Sequence, residues 1–464
     1  MIHLLKNMTE GPAGKLILAF AVPMFIGNIF QQLYNMVDSI VVGRYVGPQA
    51  LAAVGTSFPV IFLLISLAMG LTMGSGVIIS QYFGAGQNEQ VRKAASTAMI
   101  FQTVFGLAAS VVGVFFSRPL LQLLRTPPDV IDASVTYMTI FFGGLIFMFT
   151  YNTLSSTLRA LGDSRTPLYF LIIAAVINTV LDVIFVASFG WGVAGVAWAT
   201  LIAQAVSSIL CLVYIRHRVP LLRFSRQEFV FDREMFRTMV RIGIPSALQQ
   251  SVLSLGFMAM QGLINSFGSV TMAAYTAASR LDSFAMMPIQ NFSMALSTFV
   301  GQNVGANRFD RVREGLRSTL AMTLGVCLVA SLLIYLIGPQ LIQIFIDAKE
   351  TEVIARGVDY LRTVSLFYVI FSVMVVVNGV LRGAGDTVLT MVSSLVGLGT
   401  RVGVAYWLAS LPAMGYRGIW WAIGIGWTVG TIVPVVRYLT GGWKQKAVIR
   451  QQMLGTDSLA DDTV

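Results

Sequence analysis

The chain has 464 residues, of which 56% are hydrophobic and only 11% charged, and it carries a net charge of +10. Its mean hydropathy is +0.76, whereas soluble domains carry roughly 25% charged residues, so a water-soluble fold is excluded as a reading of this composition. Two cysteines in apolar runs and two histidines near helix ends offer neither a disulfide framework nor a metal cluster.

Apolar stretches long enough to cross about 30 Å of hydrocarbon as helices recur along the whole length. Twelve are read, at 16–43, 50–80, 93–117, 134–158, 166–188, 192–215, 238–265, 270–300, 315–338, 357–381, 387–410 and 416–440. The short alternating strands of a membrane β-barrel are not found. The first stretch lacks a small-residue cleavage site and reads as a span rather than a removable signal.

That first span contains Pro23, which cannot donate to the carbonyl four residues back and so marks a kink or a hinge. Behind it runs a polar stripe, Asn28, Gln31 or Gln32, Asn35 and Asp38, at spacings that set these groups along one helical face. The second span ends in Gln81-Tyr82-Phe83-Gly84-Ala85-Gly86, and the fourth in Leu158-Arg159-Ala160-Leu161-Gly162-Asp163; both endings read as turn chemistry. The fifth span places Asn178 and Asp182 four residues apart on one face, and the sixth carries Thr200. Counting about 1.5 Å per residue from the outer helix ends puts Asp38 and Asp182 each roughly 10 Å deep and Thr200 about 12 Å.

Charges at such depth are costly and call for a reason. A carboxylate withdrawn from water beside a second one can take up and release a proton, or exchange it for a hard cation. Asp38 and Asp182 are therefore candidates for a proton or Na+ site, with no other metal expected. The plainer alternative is that they tie helices together through neighbouring Asn side chains and backbone.

After a polar linker at 219–235 the chain repeats itself. Pro245 follows Pro23 by 222 positions, Gln302-Asn303-Val304-Gly305-Ala306-Asn307 follows its counterpart by 221, and Leu381-Arg382-Gly383-Ala384-Gly385-Asp386 follows by 223. Three separated matches in one register indicate a duplicated unit, the mark of many transporters. The expected domains are a bundle at 1–218, the linker, a second bundle at 236–455 and a disordered acidic tail at 456–464. With six spans in each, the halves form a parallel repeat about a pseudo-two-fold axis along the membrane normal. The copies have diverged: Arg401 stands where Asn178 stands in the first half, and Ala405 where Asp182 stands. Asp282 and Arg280 are further charges within a span, lining a cavity or holding structure.

Most of the 31 Lys and Arg fall in segments that are inner if the N-terminus is cytoplasmic, against Arg44, Arg118, Arg125, Lys349, Arg356, Arg362 and Arg417 in outer ones. The positive-inside rule then sets both termini in the cytoplasm of a bacterial-type inner membrane. The basic cluster from Arg216 to Arg241 reads as an orientation signal meeting anionic lipid, not as a nucleic-acid site. No phosphate-binding loop, zinc-protease motif or nucleophile elbow is present, so neither an enzyme nor direct ATP drive is expected.

These residues give the chain a resemblance to the multidrug and toxic compound extrusion (MATE) family. It is carried by Pro23, QLYNMVD at 32–38, QYFGAGQ at 81–87, LRALGD at 158–163, and the second copies QNVGAN and LRGAGD. The resemblance covers essentially the full length and implies two six-helix bundles in a V, a monomer that needs no cofactor, and alternating access driven by H+ or Na+. It implies export of amphipathic, often cationic, drugs. In the DinF-like branch, to which the pattern is most similar, the coupling site maps onto Asp38, Asn152, Asn178, Asp182 and Thr200. Pro23, Gln32, Asn35, Asp282 and Arg280 would belong to the hinge or cavity. In a NorM-like branch, acids in spans seven and ten bind sodium, but those spans offer Gln249, Gln250 and Asn378 here and no carboxylate at membrane depth. The rival reading, a lipid-linked oligosaccharide flippase, needs a cationic cavity for which only Arg280 and Arg401 are candidates.

Overall fold

The computed structural model describes residues 6–225 and 227–448. Among them it contains fourteen α-helices and no strand. The tail expected to be disordered, 456–464, lies outside the described residues. Two compact units divide the chain. The first is built from α1 (Ala13–Val41) from Val22 onward, α2 (Pro48–Gly84), α3 (Asn88–Leu123), α4 (Pro128–Gly143), α5 (Leu145–Ala160), α6 (Arg165–Asp182) and α7 (Gly192–Arg218). The second holds α8 (Arg233–Asn265) from Pro245 onward, α9 (Ser269–Gly305), α10 (Phe309–Gln343), α11 (Thr351–Ser365), α12 (Tyr368–Gly383), α13 (Thr387–Ala409) and α14 (Arg417–Leu439).

These helices make twelve membrane rods once α4 with α5, bent by 46°, and α11 with α12, bent by 52°, are each counted as one span. The bends fall at Gly144 and at Leu366–Phe367, corresponding places in the two copies, so the duplication extends to the irregularities of the fold. Eight rods are long and apolar enough to cross a membrane on their own and the bent pairs bring the number to ten. The remaining two are α8 and α9. Charged residues open α8, and α9 carries Arg280 and Asp282 at mid-length.

Within each unit the packing is what hydrocarbon demands, with polar and small groups inside and apolar groups out. Along α3, Gln102, Gly106, Ser110, Gly113 and Ser117 are buried, while Val104, Leu107, Val111 and Phe115 are exposed. A Cβ on Gly113 would come within 2.4 Å of the Phe142 ring, and one on Gly106 within 2.8 Å of Phe149. The bare backbone there lets α4 and α5 approach α3. The turns expected between spans are present. Gly86 at φ +72 and Asn307 at φ +57 close α2 and α9, with Gln87 N donating to Tyr82 O and Arg308 N to Asn303 O. This is the left-handed helix ending that glycine and asparagine tolerate best.

The units do not follow the division at 218 and 236 read from the linker. Met8–Ala21 belongs to the second unit, and the linker with α8 up to Ile244 belongs to the first. Hydrogen bonds explain why. In the second unit Met8 N donates to Gln302 Oε1 at 2.8 Å and Arg311 donates to Gly11 O at 2.7 Å. In the first, Arg92 pairs with Glu228 at 2.6 Å, Ser96 Oγ donates to Val230 O at 2.9 Å, and Asp232 N donates to Thr97 Oγ1 at 3.0 Å. Gly74 of α2 then packs so closely on α8 that a Cβ would sit 2.3 Å from Met239 O. Each helix passes from one unit to the other within two residues of its internal proline, Pro23 or Pro245.

Candidate functional site

Asp38 lies in the last turn of α1, and Asp182 is the final residue of α6. At the end of each helix the backbone widens into a π-helical segment, Val42–Val46 and Val183–Ser188. The register change shows in Gly47 N donating to Val42 O at 3.1 Å and Phe189 N to Ile184 O at 3.0 Å. Single π turns inside α-helices are rare and concentrate at functional sites. Here they touch one another and α7. Val41, Val42, Ala50, Val186, Val193 and Val196 form an apolar plug around them, with Tyr137 packed against it.

The two carboxyl groups lie close enough for one to hydrogen-bond the other if a proton is supplied. Asp182 is fully buried and Asp38 half-buried. Neither oxygen of Asp182, nor Oδ1 of Asp38, has a donor in bonding geometry. A buried carboxylate without a donor is costly. Two facing each other need a proton or a cation between them.

Asn178, one turn before Asp182 and buried, donates to Thr200 Oγ1 at 3.4 Å, while its own Oδ1 is buried without a partner. Two residues missing from the sequence-derived set complete the cluster. Tyr34, one helical turn before Asp38, neighbours both acids and Thr200, and Tyr137 of α4 neighbours both acids. The oxygen-rich set of two carboxyls, an amide, a hydroxyl and phenols suits a proton or a hard monovalent cation. Among the described residues no group of three His, Cys, Asp or Glu is gathered that would hold a transition metal.

The other candidates separate. Asn152, half-buried on α5, turns its Nδ2 to Met148 O of its own helix at 3.0 Å. Gln32 and Asn35 lie exposed on the face of α1, and Pro23 is buried within that helix. Asp282 belongs to the second unit. There it accepts hydrogen bonds from Tyr368 at 2.7 Å and Tyr360 at 3.3 Å, with Arg401 as a charged neighbour. Arg280 is exposed and stacks over the Phe345 ring at 5.8 Å. In α8, Gln249 is engaged with Ser394 at 2.6 Å, and in α12 Asn378 donates to Ser393 at 3.3 Å.

The duplicated all-helical fold with apolar spans throughout is that of a polytopic membrane protein. The MatE family model matches twice, at residues 23–184 and again at 245–407, so the family unit is the repeat that begins at Pro23 and at Pro245. The chain belongs to the multidrug and toxic compound extrusion family of membrane transporters. It is 31% identical over 439 residues to the probable multidrug resistance protein YoeA of Bacillus subtilis, covering 93% of this chain and 94% of that one. It is 30% identical over 446 residues to the probable multidrug resistance protein YpnP of the same organism, covering 94% and 97%. Among solved structures, the outward-facing conformation of a multidrug resistance MATE family transporter of the MOP superfamily matches with a TM-score of 0.89 at 25% identity, over 96% of this chain and 99% of that one.

Proposed function

We propose that this transporter is an antiporter that expels amphipathic, often cationic, organic compounds in exchange for H+ or Na+. The observation that carries this reading is the close pair of carboxyls at Asp38 and Asp182, in which both oxygens of the buried Asp182 and Oδ1 of Asp38 lack a donor. Loading that pair with a proton or cation removes a like-charge contact. The bonding across α1 and α6 then differs between the loaded and unloaded states, which is what a coupling site requires. Asn178 and Thr200 supply further oxygens, Tyr34 and Tyr137 a hydroxyl wall, and Asn152 reaches the site only after releasing Met148 O. Asp38 lies on the same helix as Pro23, so occupancy is transmitted along α1 to the residue where that helix leaves its unit. Gln32 and Asn35, exposed on the same helix, face the transported compound.

The placement of the pair in the first unit supports the DinF-like branch. A NorM-like sodium site in α8 and α12 lacks a carboxylate. A flippase for pyrophosphate-linked sugars needs uncommitted cations, yet Arg280 stacks on Phe345 and Arg401 on Phe257. The charge asymmetry puts both termini on the cytoplasmic face of a bacterial-type inner membrane, with the chain acting as a monomer and without a cofactor.

The test is efflux of a fluorescent organic cation from energised vesicles with the H+ and Na+ gradients imposed separately. One gradient should drive export in the wild type and neither should in Asp38→Asn or Asp182→Asn. Normal efflux in both variants removes the site.

A further inference from the structure

The start of α10 and the end of α14 enclose a second feature that transport does not use. A groove of about 330 Å³ there is lined by Arg313, Arg317, Tyr438, Leu439, Trp443 and Lys444. We propose that it binds the phosphate-bearing headgroup of an anionic lipid of the cytoplasmic leaflet.

Its charge is uncompensated. Among the described residues no hydrogen-bond or ion-pair partner is found for the side chain of Arg313 or Arg317, both of which are exposed. Glu314 pairs with Arg311 and accepts from Ala13 N, Asp386 pairs with Arg437 at 2.7 Å, and Asp310, one turn before Arg313, makes no ion pair with it among the described residues. No carboxylate lines the groove. Lys444 Nζ sits over the rings of Phe309 and Trp443 at 5.7 and 5.9 Å, and both arginines lie within Coulombic range of Tyr438.

The repeat sharpens the point. Arg92 stands 221 places before Arg313. In the first unit it is fully engaged, with Nε donating to Leu221 O at 3.0 Å and the guanidinium on Glu228 at 2.6 Å. The linker supplies that carboxylate. Arg313 has no such carboxylate among the described residues, so its guanidinium stays open to an anion.

A membrane lipid fits the rest of the groove. From Ser318 to Gln343 α10 carries no charge, nor does α14 from Gly418 to Val436, so the cations sit where the apolar spans end. Tyr438 and Trp443 stack with centroids 5.8 Å apart, as aromatic residues do at the headgroup level. Ile432, Val436 and Leu439 are exposed along α14, one turn apart, and offer an acyl chain an outward track. Basic clusters at a cytoplasmic membrane edge attract anionic lipid.

The proposal rests on the inward orientation given above, but its readout needs no transport, so its failure and that of the efflux assay are distinguishable. The full chain, purified in mild detergent, is titrated with phosphatidylglycerol or phosphatidylcholine, and bound lipid is followed by native mass spectrometry. Phosphatidylglycerol should be retained in preference, and Arg313→Gln with Arg317→Gln should weaken it roughly fivefold per charge, about twentyfold together. Lys444→Gln alone, on a different element, should weaken it about fivefold, while Arg118→Gln with Lys349→Gln, in segments read as outer, should leave it unchanged. Equal retention of the two lipids, or an equal loss from the Arg118/Lys349 variant, overturns the proposal. So does displacement by a tenfold excess of inorganic phosphate, which would assign the groove to a soluble anion.

Discussion

Replacing Asp182 by asparagine should make this protein more stable and inactive at once. The carboxyl is fully buried, both its oxygens lack donors, and Asp38 faces it. An amide has the same shape, so no cavity term arises. Its NH2 can donate to the Asp38 carboxylate, and a hydrogen bond to a charged group contributes about 1.5–3 kcal/mol. The like-charge contact disappears as well. For a unit of this size the gain corresponds to a melting temperature higher by several degrees. The assay pairs thermal unfolding in detergent with ion-driven efflux in vesicles. A higher melting temperature with efflux reduced to that of empty vesicles is expected. A drop of several degrees with efflux retained would show that the carboxylate holds the helices together, and the coupling argument would fail.

Pro23→Ala should restore a backbone N–H inside α1, stabilise that helix by up to about 3 kcal/mol and slow efflux while ion binding persists; unchanged turnover would deny Pro23 a hinge role. Asp282→Ala should cost about 2–5 kcal/mol by stranding the buried Tyr360 and Tyr368 hydroxyls, whereas Asp282→Asn, which keeps an acceptor, should recover most of it; equal melting temperatures for the two would refute this. Within α2, Gly74→Ala should destabilise by about 1–3 kcal/mol because its Cβ meets Met239 O. Gly55→Ala, with nothing within 4 Å, should stabilise by up to about 1 kcal/mol. Glu228 is held below the ordinary carboxylate range by the Ser225 backbone and hydroxyl and by Arg92. A lowered folded-state value means that the linker's docking is favoured above the ordinary carboxylate range and lost as pH falls below it. Limited proteolysis of the linker should therefore accelerate in acid, and Glu228→Gln should remove that dependence.

The rods and turns were legible because each rests on local chemistry. Hydrophobic length gives a span, and glycine or asparagine at a left-handed ending gives a turn, so Gly86, Asn307, Gly162 and Gly385 could be read without neighbours. The pairing of Asp38 with Asp182 was approachable through helix depth, since two acids at one level in a small bundle have few places to go. Tyr34 could have been found too, because it lies one turn from Asp38, and Tyr137 because it stands 223 places before Tyr360. Asn152 matched the family pattern, but a side chain that bonds its own helix cannot be told from a ligand by sequence. The π segments left no trace in the pattern of apolar residues: Val-Gly-Arg-Tyr-Val and Val-Ile-Phe-Val-Ala-Ser continue the helix in composition and change only its hydrogen bonding. The passage of Met8–Ala21 into the second unit was hidden for a similar reason. It depends on Arg311, Gln302 and Asn303, nearly three hundred residues away.

The divergence of the two copies explains why a duplicated protein has one paired-carboxyl site. In the first unit Tyr137 neighbours two carboxyls, the pair for which a mobile proton or cation is proposed above. In the second unit the equivalent Tyr360 faces a single carboxyl, Asp282, which receives two hydroxyls and has the Arg401 guanidinium as neighbour. Arg401 itself replaces Asn178, and Ala405 replaces Asp182. The second unit thus meets its buried carboxylate with two tyrosine hydroxyls, where the first sets a second carboxyl against Asp182. If Asp38 and Asp182 carry the coupling ion as proposed, a second half whose one buried acid is held by its own hydroxyls leaves a single occupancy to be coupled to transport.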